Sequence, residues 1–253
     1  MNLLILGGTA EAMLLGRALA DDPRFAAMIS LAGRTRTPAP QPLPCRIGGF
    51  GGAQGLAQFL AVKRFDALID ATHPFAEQIS RHADFASRTS GIPLLSLQRP
   101  EWRPIAGDRW IAVPDMNAAA QVLGGTPRRA LLTVGRKDLA PFAAAPWHRY
   151  VIRSVDPPPP ELLPPNAEFI AARGPFLEED ERRLMAEREI EIVVTKNSGG
   201  NATIAKLHAA RALGVKVVMI ARPPAAAGDR VTTVEEALAW LTLRHEAFSP
   251  RGV

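Results

Sequence analysis

Short apolar runs rich in Val, Ile and Leu, bounded by Gly, Pro or Asp, alternate along the chain with longer segments whose apolar residues recur every three or four positions. The first pattern suits strands buried on both faces and the second suits amphipathic helices, so the alternation predicts parallel α/β sheets. Strands are expected at 3–6, 27–31, 67–70 and 94–97, with a weaker one at 45–47, and helices at 11–20, 53–62 and 76–88. In the last of these helices Ala76, Ile79, Ala83 and Ala86 hold the helical spacing. Further on, strands are expected at 111–113, 131–134, 150–153, 169–172, 191–195 and 216–220, and helices at 116–123, 178–188, 203–213 and 234–243.

The segment Gln98-Arg99-Pro100-Glu101-Trp102-Arg103-Pro104 carries two prolines that forbid regular structure. It sets the expected boundary. A dinucleotide-binding, Rossmann-like lobe is expected at 1–98 and a substrate-binding, Rossmann-like lobe at 99–253, both α/β with parallel sheets, and with an interdomain cleft. Prolines 157–160 with Pro164 and Pro165 read as a stiff spacer. One local echo stands out: Val113-Pro114-Asp115 and Val231-Thr232-Thr233 each read as strand, N-cap, helix.

Composition narrows the function classes. The chain has 253 residues, 47% hydrophobic and 22% charged, which is ordinary globular composition. Cys45 is its single cysteine, so neither an internal disulfide nor a cysteine-rich zinc site can form, and a cytoplasmic location is expected. His82, His148, His208 and His245 show no metal-ligand spacing, and no metal is assigned. The start of the chain lacks a basic leader and no run approaches the roughly 20 apolar residues of a membrane span. The net charge of +5 comes from scattered arginines, and Tyr150 is the single tyrosine, which favours an anionic metabolite over nucleic acid. Oligomeric state is not legible; a monomer is compatible with the sequence.

The first strand runs into Gly7-Gly8-Thr9-Ala10-Glu11-Ala12 and then a helix, the context a pyrophosphate-binding turn requires. Gly7 and Ala12 match the usual G-x-G-x-x-G/A spacing, while Thr9 replaces the second glycine and offers a hydroxyl to a phosphate oxygen. The second strand ends Leu31-Ala32-Gly33-Arg34-Thr35-Arg36, with no acid to bind a ribose 2′-hydroxyl; Arg34 and Thr35 are candidates for a 2′-phosphate clamp, which points to NADPH. A solvated basic loop is the other reading of these arginines. Gly48-Gly49-Phe50-Gly51-Gly52 suggests backbone close to a ligand at Gly49, Phe50 and Gly51, or a merely flexible loop. In Asp70-Ala71-Thr72-His73-Pro74-Phe75-Ala76, at a strand's carboxyl end, Thr72 suits a helix cap and Pro74 its first turn; capping leaves His73 unexplained.

Four later strand ends carry cations or polar groups: Arg136 and Lys137, Arg153, Arg173, and Lys196-Asn197-Ser198-Gly199-Gly200. In a parallel sheet these loops share one rim, which suits a bulky polyanion. Five motifs in order, Gly7–Ala12, Gly48–Gly52, Asp70–Ala76, Thr195–Gly200 and the Arg222-Pro223 pair, make the chain resemble the precorrin-6A reductase family of cobalamin biosynthesis nearly end to end, while Arg136-Lys137 and Arg173 depart from the family pattern. The resemblance implies NADPH-dependent reduction of a carbon–carbon double bond of the macrocycle precorrin-6A to precorrin-6B, with the substrate between two Rossmann-like lobes. It also implies a polycarboxylate tetrapyrrole that arginine and lysine suit. The nicotinamide is expected against Gly49–Gly51 and Thr72-His73. His73 is the one candidate acid, since an imidazole titrates near neutral pH, and solvent is the other donor. A reductase of a smaller carboxylated substrate and a coenzyme sensor without turnover remain compatible with the residues alone.

Overall fold

The computed structural model describes residues 1–33, 37–224 and 228–248. From the start of the chain come β1 (Asn2–Leu6), α1 (Ala10–Ala20), β2 (Ala26–Leu31), β3 (Cys45–Ile47), α2 (Ala53–Lys63), β4 (Ala67–Asp70), α3 (Glu77–Ser90) and β5 (Leu94–Leu97). Next come β6 (Trp110–Val113), α4 (Met116–Val122), β7 (Arg129–Leu132), α5 (Ala140–Ala143), β8 (Arg149–Ser154) and β9 (Ala167–Ala171). The chain continues through α6 (Glu178–Glu187), β10 (Ile192–Lys196), α7 (Ala205–Ala212) and β11 (Lys216–Ile220), then β12 (Asp229–Val231) and α8 (Val234–Phe248). It divides into two units: Met1–Pro100 with Pro223–Val253, and Glu101–Arg222.

The first unit holds a sheet in the order β12-β5-β4-β1-β2-β3, every pairing parallel. Its central strands β1 and β4 are apolar apart from Asn2 at one end and Asp70 at the other, because both faces are covered. Leu3 and Ile5 face a core completed by Leu15 and Leu19 of α1 and by Ala237 and Leu241 of α8. Leu4 and Leu6, one step out of phase, face Leu56 and Leu60 of α2 and Ala83 and Ala86 of α3. The second unit repeats the plan in the order β6-β11-β10-β7-β8-β9, again all parallel. Leu131, Val193 and Val217 pack there against Met185 of α6 and Leu207 and Ala210 of α7.

The expected second lobe at 99–253 is corrected at its far end. Asp229, Arg230 and Val231 of β12 pair with Leu95, Ser96 and Leu97 of β5, and α8 covers the first core. The edge of β5 would otherwise offer unpaired backbone groups, and β12 satisfies them. With one apolar residue in three, β12 has no periodicity to show its extent or its partner, and only Val231 at its end reads as strand. The echo noted in the sequence marks equivalent places: β6 and β12 each form an edge strand, and each is followed by a capped helix. Asp115 accepts from the Ala118 N–H at 2.8 Å at the head of α4. Thr233 Oγ1 accepts from the Glu236 N–H at 3.2 Å while the Glu236 carboxylate accepts from the Thr232 N–H at 2.7 Å, a reciprocal cap for α8. Among the described residues, no helix is long and apolar enough to cross a membrane.

Candidate functional site

Parallel pairing puts every strand's carboxyl end on one edge, so in the first unit Gly7-Gly8, Gly48–Gly52, Ala71–His73 and Gln98 share a rim. The order reverses between β1 and β4, the crevice where open α/β sheets take ligands. Gly8 sits at φ +115°, a conformation side chains resist, and turns the chain from β1 into α1. Among the described residues, the backbone N–H groups of Ala10 and Glu11 have no partner, as a helix start requires to receive an anion. Thr9 does not supply the expected phosphate donor. Its hydroxyl donates to the Ala71 carbonyl at 2.8 Å across the crevice and accepts from the Ala12 N–H at 3.1 Å, so its one proton is spent holding β1 to β4. The Glu11 carboxylate, which alone would repel a phosphate, is paired with Arg99 at 2.7 Å.

The glycine loop is organised by Arg46, which the sequence analysis did not single out. Its guanidinium donates to Ser30 Oγ and the Gly48 carbonyl, both at 2.9 Å, and to the Gly49 carbonyl at 3.0 Å, and lies 4.0 Å from the centre of the Phe50 ring. Phe50 is thus turned toward its own arginine and toward Phe59, with ring centres 5.2 Å apart. The loop rests on α2 at Gly55, where a methyl group would stand 1.7 Å from the Phe50 carbonyl oxygen. Arg34 and Thr35, the expected 2′-phosphate clamp, lie outside the described residues.

At the end of β4, Thr72 is not a helix cap: α3 begins at Glu77, and its N-cap residue is Ala76. The Thr72 hydroxyl donates instead to Asp70 Oδ1 at 2.6 Å, and its N–H reaches the same oxygen at 3.1 Å. Asp70 is 1% exposed, and among the described residues its Oδ2 has no hydrogen-bond partner. His73 Nδ1 accepts from the Phe75 N–H at 3.2 Å, which places the proton of the neutral ring on Nε2. Beside this loop a cleft of about 190 Å³ is lined by Pro74, Glu77, Arg81, Gln98 and Pro223. That is below the roughly 300 Å³ at which pockets for whole ligands begin, so it suits one ring of a larger ligand.

The second unit's rim gathers the expected loops but spends several of their side chains internally. Arg153 is a correction. It is buried against Glu181 of α6 and stacks 4.0 Å from the Phe176 ring centre, so its charge serves the packing of α6 and not the rim. Asn197 is another: its side chain accepts from the Trp102 N–H at 2.9 Å and donates to the Trp102 carbonyl at 3.0 Å. The Trp102 indole N–H donates to the Gly200 carbonyl at 3.0 Å, so this tryptophan holds the 197–200 loop, with Ser198 and Gly199 within it, from both ends. Lys196 meets Asp138 at 2.7 Å, bridging β10 and β7 where the order reverses, and Arg136 lies 3.9 Å from Asp156. Lys137 and Arg173 are exposed. What remains is a rim where cations outnumber acids. Among the described residues, no group of three or more His, Cys, Asp or Glu is placed to hold a metal.

Comparison with known proteins agrees on one family. A family model described as Precorrin-6x reductase CbiJ/CobK matches residues 2–242. A precorrin-6A reductase from Sinorhizobium sp is 51% identical over 94% of this chain and 91% of its own length. One from Rhodobacter capsulatus is 47% identical over 100% and 99%. A solved structure described as CobK precorrin-6A reductase is 46% identical, covers 100% of both chains and superposes with a TM-score of 0.92.

Proposed function

Because this chain belongs to the precorrin-6x reductase family, and is therefore an enzyme that reduces a carbon–carbon double bond, we propose that it reduces precorrin-6A to precorrin-6B with NADPH. The observation that carries the coenzyme half is the turn at Gly7-Gly8. It leaves the Ala10 and Glu11 N–H groups pointing out of the start of α1, with the neighbouring carboxylate neutralised by Arg99. These features fit a pyrophosphate. NADPH, when bound, supplies the hydride. Family membership overturns the reading of the chain as a coenzyme sensor without turnover.

The other residues take roles around that transfer. Arg46 holds the glycine loop in place; because that loop follows β3, Gly49–Gly51 are assigned to the adenosine side and not, as expected, to the nicotinamide, which leaves Thr72-His73 for the ring, and Arg34 and Thr35 bind the 2′-phosphate. His73 in its imidazolium form gives a proton to the carbon that does not receive the hydride, and the neutral ring left behind is the one that accepts from the Phe75 N–H. Arg136, Lys137 and Lys196 bind acetate and propionate carboxylates of the macrocycle, with Ser198, Gly199 and Gly200 shaping the loop below them.

The test is a turnover assay. Purified protein with precorrin-6A is expected to bleach the nicotinamide absorbance with NADPH, more slowly with NADH, and to yield a product heavier by two hydrogens. Absence of bleaching with either coenzyme would sink the proposal. Single-turnover reduction by His73→Ala at the wild-type rate would return the proton to solvent.

A further inference from the structure

We infer that Asp70 is a positioning residue that fixes the Thr72 hydroxyl as a hydrogen-bond acceptor for the carboxamide N–H of the nicotinamide. The inference rests on the coenzyme reading above and adds the direction in which that hydrogen bond runs.

The argument begins with one oxygen. Asp70 Oδ1 accepts from both the N–H and the hydroxyl of Thr72, at 3.1 and 2.6 Å. An oxygen already taking the N–H is an acceptor, so the hydroxyl proton must point at it. Thr72, 8% exposed, therefore has only lone pairs left for any ligand group that reaches its hydroxyl. The arrangement is costly for the fold. Asp70 Oδ2 is buried with no partner among the described residues, and a buried polar atom left unpaired destabilises the fold. A turn that needed only a local acceptor could use an exposed side chain; a buried, half-used carboxylate calls for a function.

Position selects the ligand group. A dinucleotide bound over the β1–α1 turn spreads its two nucleosides to opposite sides of the crevice. The adenosine phosphate side belongs to the β2 end, so the nicotinamide side belongs to β4 and β5. There Thr72 comes two residues before Pro74, which with Gln98 lines the cleft of about 190 Å³. With the Thr9 proton also spent, on Ala71, these two threonines present acceptors alone at the crevice. The carboxamide N–H is the donor that the nicotinamide ring carries.

The experiment compares NADPH with its 3-acetylpyridine analogue, in which a methyl group replaces the carboxamide NH₂. Binding of each is titrated in wild type, Thr72→Ser, Thr72→Val and Asp70→Ala, with folding checked by circular dichroism. Wild type and Thr72→Ser are expected to prefer NADPH about tenfold more strongly than Thr72→Val does, the worth of one hydrogen bond. Asp70→Ala, with the hydroxyl released to rotate, is expected to lose most of that preference while Thr72 stays in place. A Thr72→Val variant that keeps the wild-type preference overturns the inference, as does Thr72→Ser behaving like Thr72→Val. If Asp70→Ala does not fold, the two Thr72 variants decide. A wild-type protein that binds neither compound overturns the coenzyme reading instead, and that outcome is distinct from both.

Discussion

Gly55 shows how one residue constrains a site it does not enter. The Phe50 carbonyl lies where its side chain would begin, so Gly55→Ala must lift the 48–52 loop from α2. The variant is expected to lose about 1–3 kcal/mol of stability, read by denaturant unfolding, and to bind NADPH more weakly, read by titration. His148 and Tyr150, in the second unit, set opposite pH limits. His148 is fully buried, its Nδ1 accepts from the Arg128 N–H at 3.2 Å and its Nε2–H donates to the Gly124 carbonyl at 3.0 Å, and burial lowers its pKa. The unfolded chain then binds the proton more readily, so the stability this neutral ring contributes is present above about pH 6.5 and lost below it. Tyr150, buried with its hydroxyl against the Phe142 and Ala145 carbonyls, is pushed up to about 12. Its contribution is complete below about pH 10 and falls as pH rises past it. Unfolding midpoints measured across pH should show both limbs, with His148→Gln flattening the acid one and Tyr150→Phe the alkaline one. The rim residues were legible in the sequence by their place at strand ends, but their partners were not. Arg99 meets Glu11, Trp102 meets Asn197 and Glu181 meets Arg153 across long stretches of chain, and local spacing carries no trace of such pairs.

At the level of elements, buried parallel strands were read closely because both their faces are apolar, and β4, β5 and β11 begin and end where the pattern placed them. The edge strands β3, β6 and β9 were also placed, whereas β12 was visible only at its last residue, Val231, and α5 was missed. β12 is short and exposed, and α5 is a four-residue turn of helix among prolines and alanines. The cap of α8 was visible as Thr232-Thr233 before a helical pattern, and the structure adds the reciprocal Glu236 contacts, which hold that carboxyl below the usual range. Thr233→Ala is expected to cost about 1 kcal/mol. Because α8 covers the first core, the loss should appear in hydrogen exchange of β1 and β5 and leave β7 and β10 unchanged.

The two units arrange five strands alike but take the sixth, an edge strand, from opposite ends of their sequence: β12 comes last in the first unit and β6 first in the second. The second is one continuous stretch, whereas the first needs both ends of the chain. A fragment spanning Glu101–Arg222 is therefore expected to unfold cooperatively by itself. A chain cut after Arg222 is expected to lose NADPH binding and expose its first unit to protease, because β5 then has a bare edge and Leu15 and Leu19 lose the cover of Ala237 and Leu241.

The late arrival of β12 also orders events on the ribosome. The second unit has its last strand once Ile220 has been made, while the first, although begun earlier, must wait for residues 229–248 to emerge from the exit tunnel. Until they do, the nascent chain carries an unfinished first unit, and the half translated first is the half that matures last.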